Sequence, residues 1–250
     1  MTSAAIETDD LRMRFGDTTA LEGLTLRVEE GELFGLLGPN GAGKSTTIRI
    51  LCGLLEPTAG AARVGGYALP SEAPAVKEII GVCPQENGVF PYLTGRENVR
   101  LFGELHGMGA RSLTARTEEL LRTMGLDGEA DRKAKGYSGG MTRRISLLMA
   151  LISDPTVAFL DEPTTGLDPA ARRAVWEFLR SLRSRRRTIV LSTHYMEEAE
   201  ALCDRVAILD RGRLIALGTP SELQREHGAS SLEEVFLKLA GRRIREGGVE

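Results

Sequence analysis

The stretch GPNGAGKST, Gly38 to Thr46, combines glycines, a lysine and two hydroxyls at a spacing suited to a phosphate chain. Gly38, Pro39, Asn40, Gly41, Ala42 and Gly43 form a turn with little side chain in the way, so backbone N–H groups can converge on an anion. Lys44 would reach the β and γ oxygens of a nucleotide, the Ser45 hydroxyl would ligate Mg²⁺, and Thr46 closes the motif. Context supports this: the continuous apolar run LFGLL precedes the loop, and a helical pattern with Ile48 and Leu51 follows it.

A second chemical signal is VAFLDEP, where an apolar strand ends in two carboxylates. Asp161 suits the hydration shell of Mg²⁺, and Glu162 suits the polarisation of a water attacking a γ-phosphate. A third is KGYSGGMTRR: Ser138, Gly139 and Gly140 stand ahead of ISLLMALI, whose spacing is helical, and so make a bare, positive helix N-terminus. The chain thus offers one lysine, one Mg²⁺ hydroxyl and one acidic pair, yet two glycine-rich anion sites. One ligand shared between two chains reconciles those counts. His194, just past the apolar run TIVLS, falls where ligands of open parallel sheets bind.

These residues need a scaffold, and the remaining pattern supplies one. LRMRF and LTLRV alternate as half-buried antiparallel strands, whereas VAFLD, TIVLS and VAILD recur between helical segments and predict a parallel core sheet. From 88 to 154 the pattern is helical, with a capping box at Thr94 and Glu97 and an apolar stripe of Leu113, Leu120, Leu121 and Met124 stopped by Gly125. Thr219, Pro220 and Glu222 start a late helix, SLEEVFLKLA forms the last one, and 241–250 reads as a flexible tail. The expected organisation is one nucleotide-binding domain over 1–240, with 88–154 inserted as a helical subdomain.

At 250 residues, 42% hydrophobic and 27% charged, the chain has the balance of a soluble globular protein. A net charge of -3 argues against nucleic acid as the partner. Cys52, Cys83 and Cys203 lack metal-ligand spacing and fit a reducing cytosol without disulfides or zinc. MTSAAIETDD is not a signal peptide and LLMALI is too short to cross a bilayer, so any membrane the protein serves would be spanned by another chain. The arginines between Arg180 and Arg187 read as a solvated helix end.

GPNGAGKST, Gln85 in VCPQEN, YSGGM, VAFLDEP, Gly166 to Asp168 and His194 in LSTHYMEEAE occur in the order that resembles ABC transporter ATP-binding subunits, over nearly the whole chain. The resemblance implies an α/β fold of P-loop NTPase type: a RecA-like parallel core sheet, an antiparallel β subdomain and a helical subdomain. It implies two such domains facing head to tail around two Mg-ATP, the signature of each closing over the ATP held by the other. Ser138, Gly139 and Gly140 would then contact the γ-phosphate across the interface. Lys44, Glu162 and His194 would be catalytic, with His194 on the γ-phosphate, and Asp168 would line the dimer contact beside the attacking water. Gln85 would ligate Mg²⁺ and sense a membrane partner, while Phe15 would stack on adenine.

Two positions depart from the family's commonest signature, which begins with leucine and ends with glutamine: here they are Tyr137 and Met141. YSGGM, STHYMEEAEALCDRVAIL and SLEEVFLKL resemble the exporter branch that includes daunorubicin-type drug and sodium efflux ATPases. That implies a subunit at the cytoplasmic face of the cell membrane, held there by a separate permease and paired with a copy of itself or a paralogue. VFPYL, Val89 to Leu93, would meet the permease near Gln85. A soluble ABC-type ATPase working on ribosomes or DNA is the rival expectation; those relatives fuse two domains or insert long coiled coils, which this chain does not.

Overall fold

The protein is described by a computed structural model covering residues 3–86, 88–183 and 187–246. The chain opens with two long strands, β1 (Ala4–Phe15) and β2 (Thr18–Glu29), paired antiparallel with register shifts that let them bend. The alternation that predicts them is visible in the burial of Leu24, Leu26 and Val28 beside exposed Thr25 and Arg27. They join β4 (Ala59–Val64) and β5 (Tyr67–Leu69) in a four-stranded sheet of order β2-β1-β4-β5.

The second sheet holds β3 (Leu33–Leu37), β6 (Ile80–Cys83), β7 (Val157–Asp161), β8 (Thr188–Thr193), β9 (Arg205–Asp210) and β10 (Arg213–Gly218) in the order β10-β9-β3-β8-β7-β6. Only β10 runs antiparallel to its neighbour. Every residue of β3, β7 and β8 is buried, as continuous apolar runs require when both faces of a sheet are covered. One cover is the antiparallel sheet with α1 (Lys44–Leu51). The other is a cluster of α6 (Pro169–Arg183), α7 (Met196–Leu202) and the helical insert.

The insert contains α3 (Gly95–Leu105), α4 (Ala110–Thr123) and α5 (Gly139–Leu151). The Thr94–Glu97 capping box starts α3, and Leu113, Leu120, Leu121 and Met124 are buried. Between β5 and β6 lies α2 (Ala73–Ile79). The Thr219–Glu222 capping box starts α8 (Pro220–Glu226), and α9 (Leu232–Glu246) continues past the expected boundary at 240. Backbone hydrogen bonds extend a helix that is already under way, so α9 runs on past Ala240. Arg180 on α6 donates to the Ala201 carbonyl, while 184–186 of the arginine run and 247–250 of the expected tail lie outside the described residues.

Where α5 crosses β6 the backbones nearly touch: a Cβ on Gly81 would lie 1.9 Å from the Ala150 carbonyl oxygen and 2.8 Å from Pro155. Backbone cannot yield as a side chain does, so Gly81→Ala should cost on the order of 1–3 kcal/mol, measured as a lower urea midpoint with an unchanged slope. An unshifted midpoint would mean that α5 is free to move off the sheet edge.

Candidate active site

Gly38 turns the chain from the end of β3 into the phosphate loop. Its φ is +147° and a Cβ there would stand 2.2 Å from the Leu209 carbonyl oxygen, so only glycine fits. The loop delivers the chain to α1, capped by Gly43 with no side-chain cap and no acidic residue in the first turn. Its leading N–H groups are therefore left for an external anion. Lys44 is 5% exposed, and its Nζ donates to the Gly38 and Pro39 carbonyls at 2.8 and 3.0 Å. Burial lowers its pKa, against the opposing fields of Glu162 and Asp161. A buried ammonium beside a bare helix end is complementary to a polyanion.

The loop floors a cleft of about 520 Å³ whose walls include Phe15, Asn40, Gln85 and Glu162. Phe15 ends β1 and is 48% exposed, so it is not a core residue of its strand and has a ring face to offer in the cleft. Gln85 also lines a neighbouring groove with Ser45 and Asp161. Side-chain oxygens of three residues in one groove suit a hard cation that keeps most of its own water and phosphate ligands.

Asp161 is the last residue of β7 and accepts a short hydrogen bond from the Ser192 hydroxyl on β8. Glu162 follows with φ +51°, a left-handed conformation costly for a non-glycine residue. Its N–H donates to both the carbonyl and the hydroxyl of Ser192 at 3.1 Å. Its carboxylate is held at both ends: Oε1 lies 3.2 Å from His194 Nδ1, and Oε2 accepts from the Thr165 hydroxyl at 3.1 Å. The parallel register of β7 and β8 brings Ser192 and His194 to Asp161 and Glu162 across 30 to 32 positions of sequence.

The signature residues are placed differently. Ser138 caps α5 by accepting from the Met141 N–H at 3.2 Å, and neither it nor Gly139 or Gly140 is among the residues lining the cleft. Ser138 and Gly139 are exposed, while a Cβ on Gly140 would lie 3.4 Å from Leu167. Asp168, next to that leucine, is exposed and caps the start of α6 through the Ala170 and Ala171 N–H groups, which hold its carboxyl below the usual range. The two signature departures find local explanations. Tyr137 donates its hydroxyl to the Glu129 carbonyl at 2.7 Å, and Met141 packs its side chain on the core while its N–H meets Ser138.

Several residues at this site carry no signal in the sequence. Ser192 reads as one more strand residue, and Arg143 as a polar position on a helix, yet both hold backbone beside the carboxylates. Glu198, buried on α7, accepts from the Thr164 hydroxyl at 2.7 Å and from the Trp176 indole at 3.0 Å, tying the segment after Glu162 to the helix after His194.

The profile of the ABC transporter family matches residues 21–165. The Nod factor export ATP-binding protein I of Paraburkholderia xenovorans is 46% identical over 236 residues, 94% of this chain and 78% of that one. The daunorubicin resistance ATP-binding protein DrrA3 of Streptomyces coeruleorubidus is 47% identical over 241 residues, 96% of this chain and 76% of that one. Among solved structures, an ATP-binding subunit of an ABC transporter superposes with a TM-score of 0.87 at 33% identity, covering 94% of this chain and 99% of its own. A dimeric ATP-binding cassette in a post-hydrolysis state, bound to ADP and phosphate, gives 0.79 at 26% identity, covering 86% and 98%.

Proposed function

The chain belongs to the ABC transporter family as an ATP-binding, ATP-hydrolysing subunit, and from that premise we propose that it pairs with a second such subunit around two Mg-ATP to drive export through a separate membrane-spanning chain. One observation carries this reading. Lys44, Glu162 and Gln85 line one cleft and His194 reaches its edge through Glu162, whereas the helix end at Ser138 is not part of that lining. A site of which one chain holds only part calls for a partner chain.

Within one subunit, the phosphate loop and Lys44 bind the phosphates, and Phe15 stacks on the base. Ser45, Asp161 and Gln85 would hold Mg²⁺, whose contribution is neutralisation of phosphate charge. Glu162 accepts the proton of the attacking water, the carboxylate being aimed by His194 and Thr165. His194, set on Glu162 through Nδ1, would present its other ring nitrogen to the γ-phosphate. Ser138, Gly139 and Gly140 of the opposing subunit would complete the phosphate's surroundings, with Asp168 at the contact. Residues 1–240 act as one domain in this scheme, with 88–154 as the insert that carries the signature.

The names of the relatives support export, and the working place would be the cytoplasmic face of the membrane. Among the described residues no helix is long and apolar enough to cross a membrane. The docking segment is held out by Asn98, fully buried, which accepts from the Phe90 N–H and donates to the Phe90 and Thr94 carbonyls. Phe90 is 48% and Tyr92 72% exposed as a result.

Affinity purification from the native membrane should recover a polytopic membrane protein with this chain. Changing Phe90 and Tyr92 together to Asp should weaken that association at least about tenfold and leave ATP turnover of the isolated chain unaltered. Full transport by the doubly changed complex would remove VFPYL from the coupling path.

A further inference from the structure

Arg143 lies on α5 between Met141 and the core-facing Ile145, and it is 4% exposed. A guanidinium so deep must be supplied with acceptors. Its Nε donates to the Pro163 carbonyl at 3.2 Å and its Nη1 to the carbonyls of Pro84 and Gln85, the latter at 3.2 Å. Its Nη2 donates to the carbonyls of Asp161 and Glu162, the latter at 2.9 Å. One planar fork therefore joins three segments: the signature helix that carries it, the Gln85 loop, and the strand end bearing both carboxylates.

The backbone it grips is the strained one. Glu162 has φ +51°, a conformation that persists only where the surroundings over-determine it. On one side its N–H is fixed by the Ser192 carbonyl and hydroxyl, and on the other its carbonyl is fixed by Arg143. The peptide planes flanking Glu162 are thus both pinned, and they decide where its carboxylate points. A lysine would keep the buried charge but has three donors on a single atom, which cannot reach acceptors spread across the fork.

We propose that Arg143 is a positioning residue for hydrolysis: it holds Glu162 in its working orientation only while the Gln85 loop and the signature helix are both in place. This rests on Glu162 being the proton acceptor. Movement of the Gln85 loop, or of α5 at its Ser138 end, would loosen the carbonyl contacts and let the strained backbone relax. Misplacing a catalytic group by about 1 Å costs on the order of 100-fold in rate, so a small shift suffices as control.

The test measures kcat and KM for Mg-ATP on the full chain and on Arg143→Lys, Arg143→Gln, Glu162→Gln and the double variant Arg143→Lys/Glu162→Gln, each well below its own unfolding midpoint. Both Arg143 variants should lose about 10- to 100-fold in kcat with KM within about threefold. The double variant in single-turnover assays should be no slower than Glu162→Gln alone, because Arg143 acts through that carboxylate. An unaltered kcat in a folded Arg143 variant, or losses that multiply in the double variant, would overturn the proposal. If Glu162→Gln itself turns over at the unaltered rate, the assignment of Glu162 fails. If that variant is slow and Arg143→Lys is not, the role of Arg143 fails alone.

Discussion

Glu162→Gln is expected to slow ATP hydrolysis by a factor on the order of 10² to 10⁴ while leaving ATP bound. The substitution is isosteric, and the site can absorb it. A glutamine carbonyl oxygen can accept from His194 Nδ1 as Oε1 does at 3.2 Å, and its amide can donate to Thr165 once that hydroxyl rotates from donor to acceptor. What it cannot do is take a proton from water. Removing one negative charge beside the phosphates should also hold ATP as tightly as before or more so, since Glu162 supports the Lys44 charge only jointly with Asp161. Phosphate release at saturating ATP, set against equilibrium ATP binding, reads the two effects separately. Unaltered turnover would require a different proton acceptor.

Ser138→Arg should abolish hydrolysis, to below about 1% of the unaltered rate, for a reason that lies outside its own cleft. Ser138 caps α5, so the change removes one hydrogen bond from Met141 and costs about 1 kcal/mol of stability, too little to unfold a domain. The exposed position accepts the bulk without a clash in its own chain. In a closed pair the arginine would stand where the opposing γ-phosphate should meet the serine-capped start of α5. ATP binding at Lys44 should survive within a few-fold.

Mixing makes the prediction sharper. Ser138→Arg subunits keep an intact phosphate loop, and Lys44→Ala subunits keep an intact signature, so a mixed dimer contains one whole composite site. Each variant alone should be inactive, and the mixture should hydrolyse one ATP per mixed dimer in a single turnover. A mixture as inactive as its parts, although the mixed dimer forms, would contradict a shared site, as would loss of ATP binding in Ser138→Arg alone.

The parts legible in the sequence are those whose function is local. The phosphate loop needs only consecutive residues between a strand and a helix, and both capping boxes at Thr94 and Thr219 are closed within four residues. Burial on both faces makes β3, β7 and β8 continuous apolar runs, so the core sheet announces itself. The strands β4, β5, β6 and β10 escape the same reading. β5 and β6 are only three and four residues long, and β4 and β10 are largely uncovered, so burial writes no strong pattern on them.

By itself, then, the sequence determined the chemistry available: a polyanion cradle, an acidic pair at a strand end, a histidine past the next strand end and a second helix end without an anion of its own. Tertiary structure decided which of these share a site and what aims them. The register of β7 on β8 sets His194 and Ser192 against Glu162, and the approach of α5 to the sheet places Arg143 among the carbonyls of two other segments. Those contacts join positions about 20 to 60 residues apart. A strained backbone at Glu162 leaves no mark in residue type, because it is imposed by neighbours that only folding brings together.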